Sequence, residues 1–122
     1  MAKVLIIESD EGTRYLYNTA IKFQQLETVP VKSAKEGINI LKKNKPDLVL
    51  LDVMTPDLKN FNLLEELQKE IDNRLPLIII TDLREKNEAQ ERSIFGACEY
   101  LSKSDTSVGE IIKKVRSIVK EQ

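Results

Sequence analysis

The residues best suited to chemistry in this chain follow short apolar runs, at the points where strands would end. Most are acidic, and hydroxyl groups and one lysine accompany them: Glu8, Ser9, Asp10, Asp52, Thr81, Asp82, Ser102 and Lys103. Carboxylates together with a carbonyl and waters suit Mg²⁺. A lysine and a hydroxyl would neutralise and hydrogen-bond a transferred phosphoryl group. The set therefore indicates a divalent-cation site suited to phosphoryl transfer.

Other kinds of site are excluded by residues that the sequence lacks. No apolar run is followed by a glycine-rich loop, so nucleotide or flavin phosphates have no backbone cradle. The absence of histidine excludes serine–histidine and cysteine–histidine catalysis, imidazole metal sites and phosphohistidine carriers. Cys98 is the only cysteine, so it forms neither an internal disulfide nor a zinc site. We interpret it as a buried structural thiol in a reducing compartment.

Length and charge narrow the class of protein further. A chain of 122 residues fits one core, and we expect one domain over residues 1–122. With 19 basic and 20 acidic residues the net charge is −1, which gives no general attraction to nucleic acid. The apolar run after the initial "MAK" is too short for a signal peptide, and no stretch could span a bilayer. We therefore expect a soluble, cytoplasmic protein without membrane contact.

Five segments are expected to form strands: 4–7, 28–32, 48–51, 77–80 and 98–102. Three of them, "VLII", "LVLL" and "LIII", are continuously apolar, which is typical of parallel strands covered by helices on both faces. Pro30 cannot donate a ladder hydrogen bond and therefore predicts an edge position for the second strand. The fifth segment is less apolar, and we also expect it near an edge.

Helical patterns occupy the intervals and the end of the chain: 11–24, 34–44, 61–72, 86–94 and a final helix from 108 onward. In the first, Leu16, Ala20 and Phe23 fall on one face, which predicts the side that packs on the sheet. Two residue pairs have the spacing of a capping box and predict helix starts: Ser33 with Glu36, and Ser107 with Glu110. Five strands alternating with five helices predict a three-layer α/β domain with a mostly parallel sheet.

In such a sheet, ligands bind beyond the carboxyl ends of the strands, so the polar residues named above would share one edge. Four stretches in order make the chain resemble the receiver domains of two-component response regulators: "VLIIESDE" (4–11), "PDLVLLDVMTPDLKNFNLLEEL" (46–67), "PLIIITD" (76–82) and "GACEYLSK" (96–103). The resemblance covers nearly the whole chain. It implies a flavodoxin-like (βα)5 fold with strand order 2-1-3-4-5.

The resemblance also implies roles for individual residues. Asp52 would be the phosphoacceptor, attacking the phosphohistidine of a sensor histidine kinase or phosphotransfer protein. Thr81 would donate its hydroxyl to the phosphoryl oxygens, and Lys103 would pair with them. Tyr100 would be the switch aromatic that turns inward as Thr81 moves. A downstream protein effector would then bind the surface formed by 86–95, 98–102 and the last helix.

The metal site implied by the resemblance departs from the family's pattern. Ser9 stands where the family has the second of two adjacent carboxylates, the one that binds the metal directly. A hydroxyl is a poorer Mg²⁺ ligand than a carboxylate, so we expect weaker binding. The expected metal set is therefore Glu8, Asp52 and the Met54 backbone carbonyl, with Asp10 or Asp82 as substitutes for the missing acid.

Two further positions depart from the pattern. Asp82 replaces the very small residue that normally follows the threonine, and its charge would repel a phosphoryl group, pair with Lys103 or complete the metal site. Ser104 replaces the proline of a cis peptide, and a cis bond is rare without proline, so a trans bond is expected here.

The sequence leaves two functions open. One is a working receiver that is phosphorylated on Asp52; the other is a degenerate receiver that binds proteins independently of phosphorylation. We do not expect an enzyme beyond self-phosphorylation and autodephosphorylation, because a phosphatase of the haloacid dehalogenase type needs a second aspartate where Met54 stands. No DNA-binding module follows, so we expect action by protein contact, as a stand-alone regulator or as a piece of a longer protein.

Overall fold

A computed structural model describes residues 1–82, 96 and 99–120 of the chain. Its elements follow in the order β1 (Lys3–Ile7), α1 (Glu11–Lys22), β2 (Glu27–Val31), α2 (Ala34–Lys43), β3 (Leu48–Leu51), a 3-10 turn (Pro56–Lys59), α3 (Phe61–Glu70), β4 (Leu77–Thr81), β5 (Glu99–Ser102) and α4 (Val108–Lys120). The helix predicted over 86–94 and the predicted buried thiol of Cys98 lie outside the described residues.

The five strands form one parallel sheet in the order β2-β1-β3-β4-β5. This order confirms the predicted flavodoxin-like arrangement. The strand that carries Pro30 lies at one edge, as predicted, and β5 lies at the other. Ile7 pairs with Leu51, and Thr81 pairs with Ser102, so neighbouring strands end almost level at the carboxyl edge of the sheet.

The core lies on both faces of the sheet, as the continuously apolar runs predicted. One buried cluster joins alternate strand residues to side chains of α2 and α3, with Leu5, Ile7 and Leu67 among its members. The other joins the remaining strand residues to α1 and α4, with Val4 and Ile6 among its members. Apart from Lys3, every residue of the three central strands is buried between the two helical layers.

The predicted packing face of α1 is wrong. Leu16 and Phe23 are 48% and 85% exposed, whereas Tyr17 and Ile21 are buried. The reason is that α1 carries two overlapping apolar stripes, and only one can face the sheet. Arg14 lies on the same face as Tyr17 and Ile21 and hydrogen-bonds the loop that precedes the helix, which orients that face inward.

The helix starts agree with the predicted caps, with one difference. Ser107 and Glu110 form the complete reciprocal capping box. Ser33 accepts a hydrogen bond from the Glu36 amide, but the Glu36 carboxylate accepts from the Lys32 amide instead of the Ser33 amide. α1, α2 and α3 end one or two residues earlier than predicted, at Lys22, Lys43 and Glu70.

Helix α2 approaches the sheet very closely. A Cβ atom added at Gly37 would lie 2.5 Å from Cδ1 of Ile7, the last residue of β1. A side chain at position 37 would therefore require the buried Ile7 side chain or α2 to move at the strand end that leads into Glu8. No helix within the described part of the chain combines the length and apolar composition needed to cross a membrane.

Candidate functional site

Three polar side chains are buried where the central strands end. Glu8 directly follows β1, Asp52 directly follows β3, and Thr81 is the last residue of β4. Their exposed fractions are 2%, 5% and 0%. Buried carboxylates are rare unless a partner compensates their desolvation. Without a partner, the two carboxylates buried at this edge of the sheet would therefore destabilise the fold.

Lys103 is the partner of both carboxylates. Its Nζ lies 2.7 Å from Glu8 Oε1 and 2.8 Å from Asp52 Oδ2. The residue follows β5, and its amide donates to the Thr81 carbonyl at 2.9 Å, which fixes the start of the side chain beside β4. One ammonium thus bridges two carboxylates that come from the first and third strands.

The electrostatics of this cluster follow from its burial. Desolvation raises the pKa of Glu8, and the charge of Asp52 adds to the effect, while the hydrogen bond from Lys103 opposes it. For Lys103, burial alone would lower the pKa, but hydrogen bonds to Asp52 and Glu8 outweigh burial and raise it. Lys103 is therefore a permanent cation, and a further cation near Glu8 would relieve the remaining negative charge.

The segment after β3, which we call the β3 loop (residues 52–59), holds Asp52 at several atoms. Asp52 Oδ1 accepts from the Met54 amide at 2.9 Å. The Asp52 carbonyl accepts from both the amide and the hydroxyl of Thr55, at 3.1 and 2.6 Å. Farther along, Asp57 accepts hydrogen bonds at 3.0 Å from the amides of Ala34 and Lys35, which anchors the loop to the start of α2.

The segment after β1, which we call the β1 loop (residues 8–10), is arranged differently. Ser9 and Asp10 are exposed, and only Glu8 is buried. Asp10 caps α1 by accepting from the amide and hydroxyl of Thr13, at 2.8 and 2.7 Å, and these bonds lower the pKa of Asp10. Arg14 Nη1 donates to the carbonyls of Glu8 and Ser9 at 2.9 and 3.2 Å.

The remaining predicted residues lie around this cluster. The Thr81 hydroxyl is buried and has no hydrogen-bond partner among the described residues. Tyr100 is buried on β5 within the core cluster that faces α2 and α3. Asp82 is exposed and makes no ion pair with a described residue. Ser104 contacts the Ser102 hydroxyl at 3.1 Å, and no cis peptide occurs in the described ranges, as expected without the proline.

The donor atoms fit a small divalent cation in part. Within residues 1–82, 96 and 99–120, no group of three or more acidic, cysteine or histidine side chains is placed to share a metal. Glu8 and Asp52 nevertheless provide two buried carboxylates joined through one ammonium, and one or two carboxylates suffice for Mg²⁺ when water completes the shell. The Met54 backbone carbonyl belongs to the same loop as Asp52.

Three residues that support the loops of the site were not predicted from the sequence. Arg14, Thr55 and Asp57 were not among the predicted site residues, although each binds a backbone group of a loop or helix start. A local signal existed for one of them only: in "TPD", Pro56 occupies the first position of the 3-10 turn, and this favours an ordered turn after Asp52. The long-range partners of Asp57 depend on the tertiary fold.

Comparison with known proteins gives a consistent family match. The family model described as "Response regulator receiver domain" matches residues 4–116. The chain is 31% identical over 101 residues to sporulation initiation phosphotransferase F of Bacillus subtilis, which covers 83% of this chain and 81% of the relative. It is 27% identical over 115 residues to the polar-differentiation response regulator DivK of Brucella ovis, which covers 93% of each chain.

Some relatives are considerably longer than this chain. The probable transcriptional regulator ycf27 of Porphyra purpurea is 30% identical over 118 residues, which covers 97% of this chain but 47% of that protein. The chain thus spans about half the length of this relative. Among solved structures, the receiver domain of a Francisella response regulator has a TM-score of 0.83 at 26% identity and covers 99% of this chain and 98% of that one.

Proposed function

We propose that this chain, which belongs to the response regulator receiver domain family of two-component systems, accepts a phosphoryl group on Asp52. One observation carries the proposal. The Asp52 carboxylate lies buried at the end of a central strand, with one oxygen on the Met54 amide and the other on the Lys103 ammonium. A solvated loop acid would need neither contact.

The reaction is a phosphoryl transfer from a donor on another protein. An Asp52 carboxylate oxygen attacks phosphorus, a P–O bond forms, and the P–N bond to the donor imidazole breaks. The imidazole keeps the electron pair of the broken bond, and Asp52 becomes an acyl phosphate. Because this chain has no histidine, a phosphohistidine donor belongs to a partner, either a sensor histidine kinase or a phosphotransfer protein.

Lys103 and Thr81 supply the charge and the hydrogen bond that the product needs. A phosphoryl group brings about 1.5 to 2 negative charges at neutral pH and three strong acceptor oxygens. Lys103 already lies against Asp52, so it can pair with these oxygens after a small movement. The buried Thr81 hydroxyl has no partner within the described residues and is therefore available to donate to the same oxygens.

Magnesium is the cofactor proposed for this step. Asp52, the Met54 carbonyl and Glu8 would hold it, and Asp10 or Asp82 would substitute for the carboxylate missing at Ser9. When bound, Mg²⁺ neutralises phosphoryl charge during the transfer. The raised pKa of Glu8 supports this assignment, because a cation would offset the cost of burying that carboxylate. The use of Asp10 as a capping group favours Asp82 as the substitute.

The proposed output is a change of surface rather than a chemical product. Phosphorylation would draw Lys103 and Thr81 towards Asp52 and bias the position of Tyr100 on β5. A downstream protein effector would bind the surface formed by β5, α4 and residues 86–95, the last of which lie outside the described part of the chain. The domain thus acts in signalling and is not proposed to turn over a substrate of its own.

Intact mass after incubation with acetyl phosphate and Mg²⁺ tests the proposal. We expect one added phosphoryl group on the wild-type protein, none after a chelator is added beforehand, and none on Asp52→Asn. Asp72→Asn is the matched control, because this exposed aspartate lies outside the site at the far end of α3 and should accept the group normally. An unmodified wild-type protein that also fails to bind Mg²⁺ would support the degenerate receiver instead.

A further inference from the structure

Thr55 is a polar residue in a buried position of the β3 loop. It is 1% exposed, and its hydroxyl donates to the Asp52 carbonyl at 2.6 Å. Burying a hydroxyl is costly unless it is hydrogen-bonded, whereas valine has nearly the same shape and carries no such cost. The role of the hydroxyl is therefore expected to lie in its hydrogen bond to the Asp52 carbonyl.

The backbone on the far side of Thr55 is already fixed. Pro56 restricts the preceding residue to extended conformations, and Thr55 has φ −52° and ψ 124°. The Leu58 amide donates to the Thr55 carbonyl at 3.0 Å, and Asp57 is anchored to α2 by two hydrogen bonds. Movement in the loop is thereby restricted to residues 52–55, the turn that begins at Asp52.

Within this turn, the backbone determines where the Asp52 carboxylate points. The Met54 amide that binds Asp52 Oδ1 lies inside the turn, so its direction depends on the turn's geometry. The turn is closed by the Thr55 amide and hydroxyl, both on the Asp52 carbonyl. Without the hydroxyl, the turn would be closed only by the hydrogen bond from the Thr55 amide to the Asp52 carbonyl, at 3.1 Å. The peptide groups on either side of Met54 could then rotate more easily.

We infer that Thr55 is a positioning residue for phosphoryl transfer: its hydroxyl locks the 52–55 turn and so holds the Asp52 carboxylate between the Met54 amide and Lys103. The inference rests on the proposed function of Asp52 and adds a residue to it. Thr55 touches no reacting atom. Its contribution is the orientation of the nucleophile, and a misplacement of about 1 Å at a reacting group can reduce a rate by about 100-fold.

The test compares Thr55→Val with Thr55→Ser. Thr55→Val keeps the shape and removes the hydroxyl, whereas Thr55→Ser keeps the hydroxyl and removes a methyl group. Thr28→Val is the matched control, because it removes a hydroxyl of the edge strand β2 that donates to Asn18 of α1, outside the site. Phosphorylation rates are measured over a range of acetyl phosphate concentrations, and stability is measured by urea unfolding.

We expect Thr55→Val to lower the rate at saturating acetyl phosphate by about tenfold or more, with little change in the half-saturating concentration. The phosphorylation rate of Thr55→Ser should stay within about threefold of wild type. That of Thr28→Val should stay within about twofold, even if this substitution lowers the stability as much as Thr55→Val does. A Thr55→Val protein as fast as wild type would overturn the inference. If Thr55→Val does not fold, Thr55→Ala against Thr55→Ser makes the same comparison.

A second readout separates this inference from the proposed function. If the wild-type protein accepts no phosphoryl group, the proposed function fails, but the amide proton of Met54 still reports on the Asp52 carboxylate in an NMR spectrum. The inference predicts that its chemical shift moves upfield in Thr55→Val and stays near the wild-type value in Thr55→Ser and Thr28→Val. An unchanged Met54 signal in Thr55→Val would contradict the inference whatever the phosphorylation result.

Discussion

The β3 loop and the β1 loop each supply one buried carboxylate to the site, and each carboxylate accepts a hydrogen bond from the amide two residues further on, but the surroundings of the two loops differ. The β3 loop binds Asp52 through Met54 and Thr55 and is anchored to α2 through Asp57. The β1 loop buries Glu8, exposes Ser9 and uses Asp10 for helix capping. The difference teaches that the two carboxylates are held alike, whereas the β1 loop places an exposed Ser9 where the proposed metal site would take a further carboxylate.

Removal of the ammonium that joins the two loops should have the largest effect. Lys103→Met leaves Glu8 and Asp52 buried side by side without a cation, and breaking a buried ion pair in this way costs about 3 kcal/mol. Urea unfolding at neutral pH measures the loss. Lys42→Met removes the exposed pair with Glu66 and should leave the stability close to wild type. Equal effects of the two substitutions would mean that the loops are not joined through Lys103.

A smaller effect is expected from the packing beneath the β1 loop. Gly37→Ala places a methyl group 2.5 Å from Ile7 Cδ1, directly before Glu8, and overpacking of this kind costs about 1–3 kcal/mol. Gly109→Ala is the control, because its methyl group would meet only the Ser107 hydroxyl, at 3.8 Å. Thermal unfolding should rank the three proteins with Gly37→Ala lowest. A Gly37→Ala protein as stable as wild type would show that α2 can move away from the strand end.

Restoration of the acid missing from the β1 loop should make the two loops more alike. Ser9→Asp adds a carboxylate beside Glu8, and we expect the Mg²⁺ dissociation constant to fall by about tenfold, which corresponds to about 1.4 kcal/mol. Isothermal titration calorimetry with Mg²⁺ measures the change. Ser117→Asp adds the same charge to an exposed position of α4 and controls for general electrostatic attraction. Equal gains in the two variants would contradict a metal role for position 9.

The smallest effect concerns the acid that the β1 loop uses as a cap. Hydrogen bonds from Thr13 lower the pKa of Asp10 in the folded protein below its ordinary value of 3.8. The stabilisation by this carboxylate is therefore complete above pH 3.8 and is lost as the pH falls through the lowered pKa. Wild-type protein should therefore lose melting temperature more steeply than Asp10→Asn as the pH falls from about 5 to about 2.5. Parallel curves for the two proteins would show that the Asp10 carboxylate does not stabilise α1.

The fold was largely predictable because its signals are local. Continuously apolar runs identified the central strands, Pro30 identified an edge, and the Ser107–Glu110 pair identified a helix start, all without tertiary information. The packing face of α1 was predicted wrongly because two apolar stripes overlap there. The stripe that faces the sheet is the one that buries Tyr17 and Ile21 in the core, and Arg14 on the same face hydrogen-bonds the preceding loop.

The site was predictable in position more than in detail. Residues after neighbouring parallel strands must meet at one edge, so the proximity of Glu8, Asp52 and Lys103 followed from the strand assignment. The supporting bonds of Thr55 and Asp57 did not follow, because they join side chains to backbone groups whose positions depend on the finished loop. The chemical roles of the site residues remain predictions.

The account depends most on the claim that Asp52 is the phosphoacceptor, and the most direct test locates the modification. Protein treated with acetyl phosphate and Mg²⁺ is reduced with borohydride, which converts an aspartyl phosphate to homoserine, and is then digested for tandem mass spectrometry. We predict homoserine at position 52 and at no other aspartate. Homoserine at Asp10 or Asp82 instead would contradict the claim. So would a protein that gains no phosphoryl group by mass and contains no homoserine after reduction.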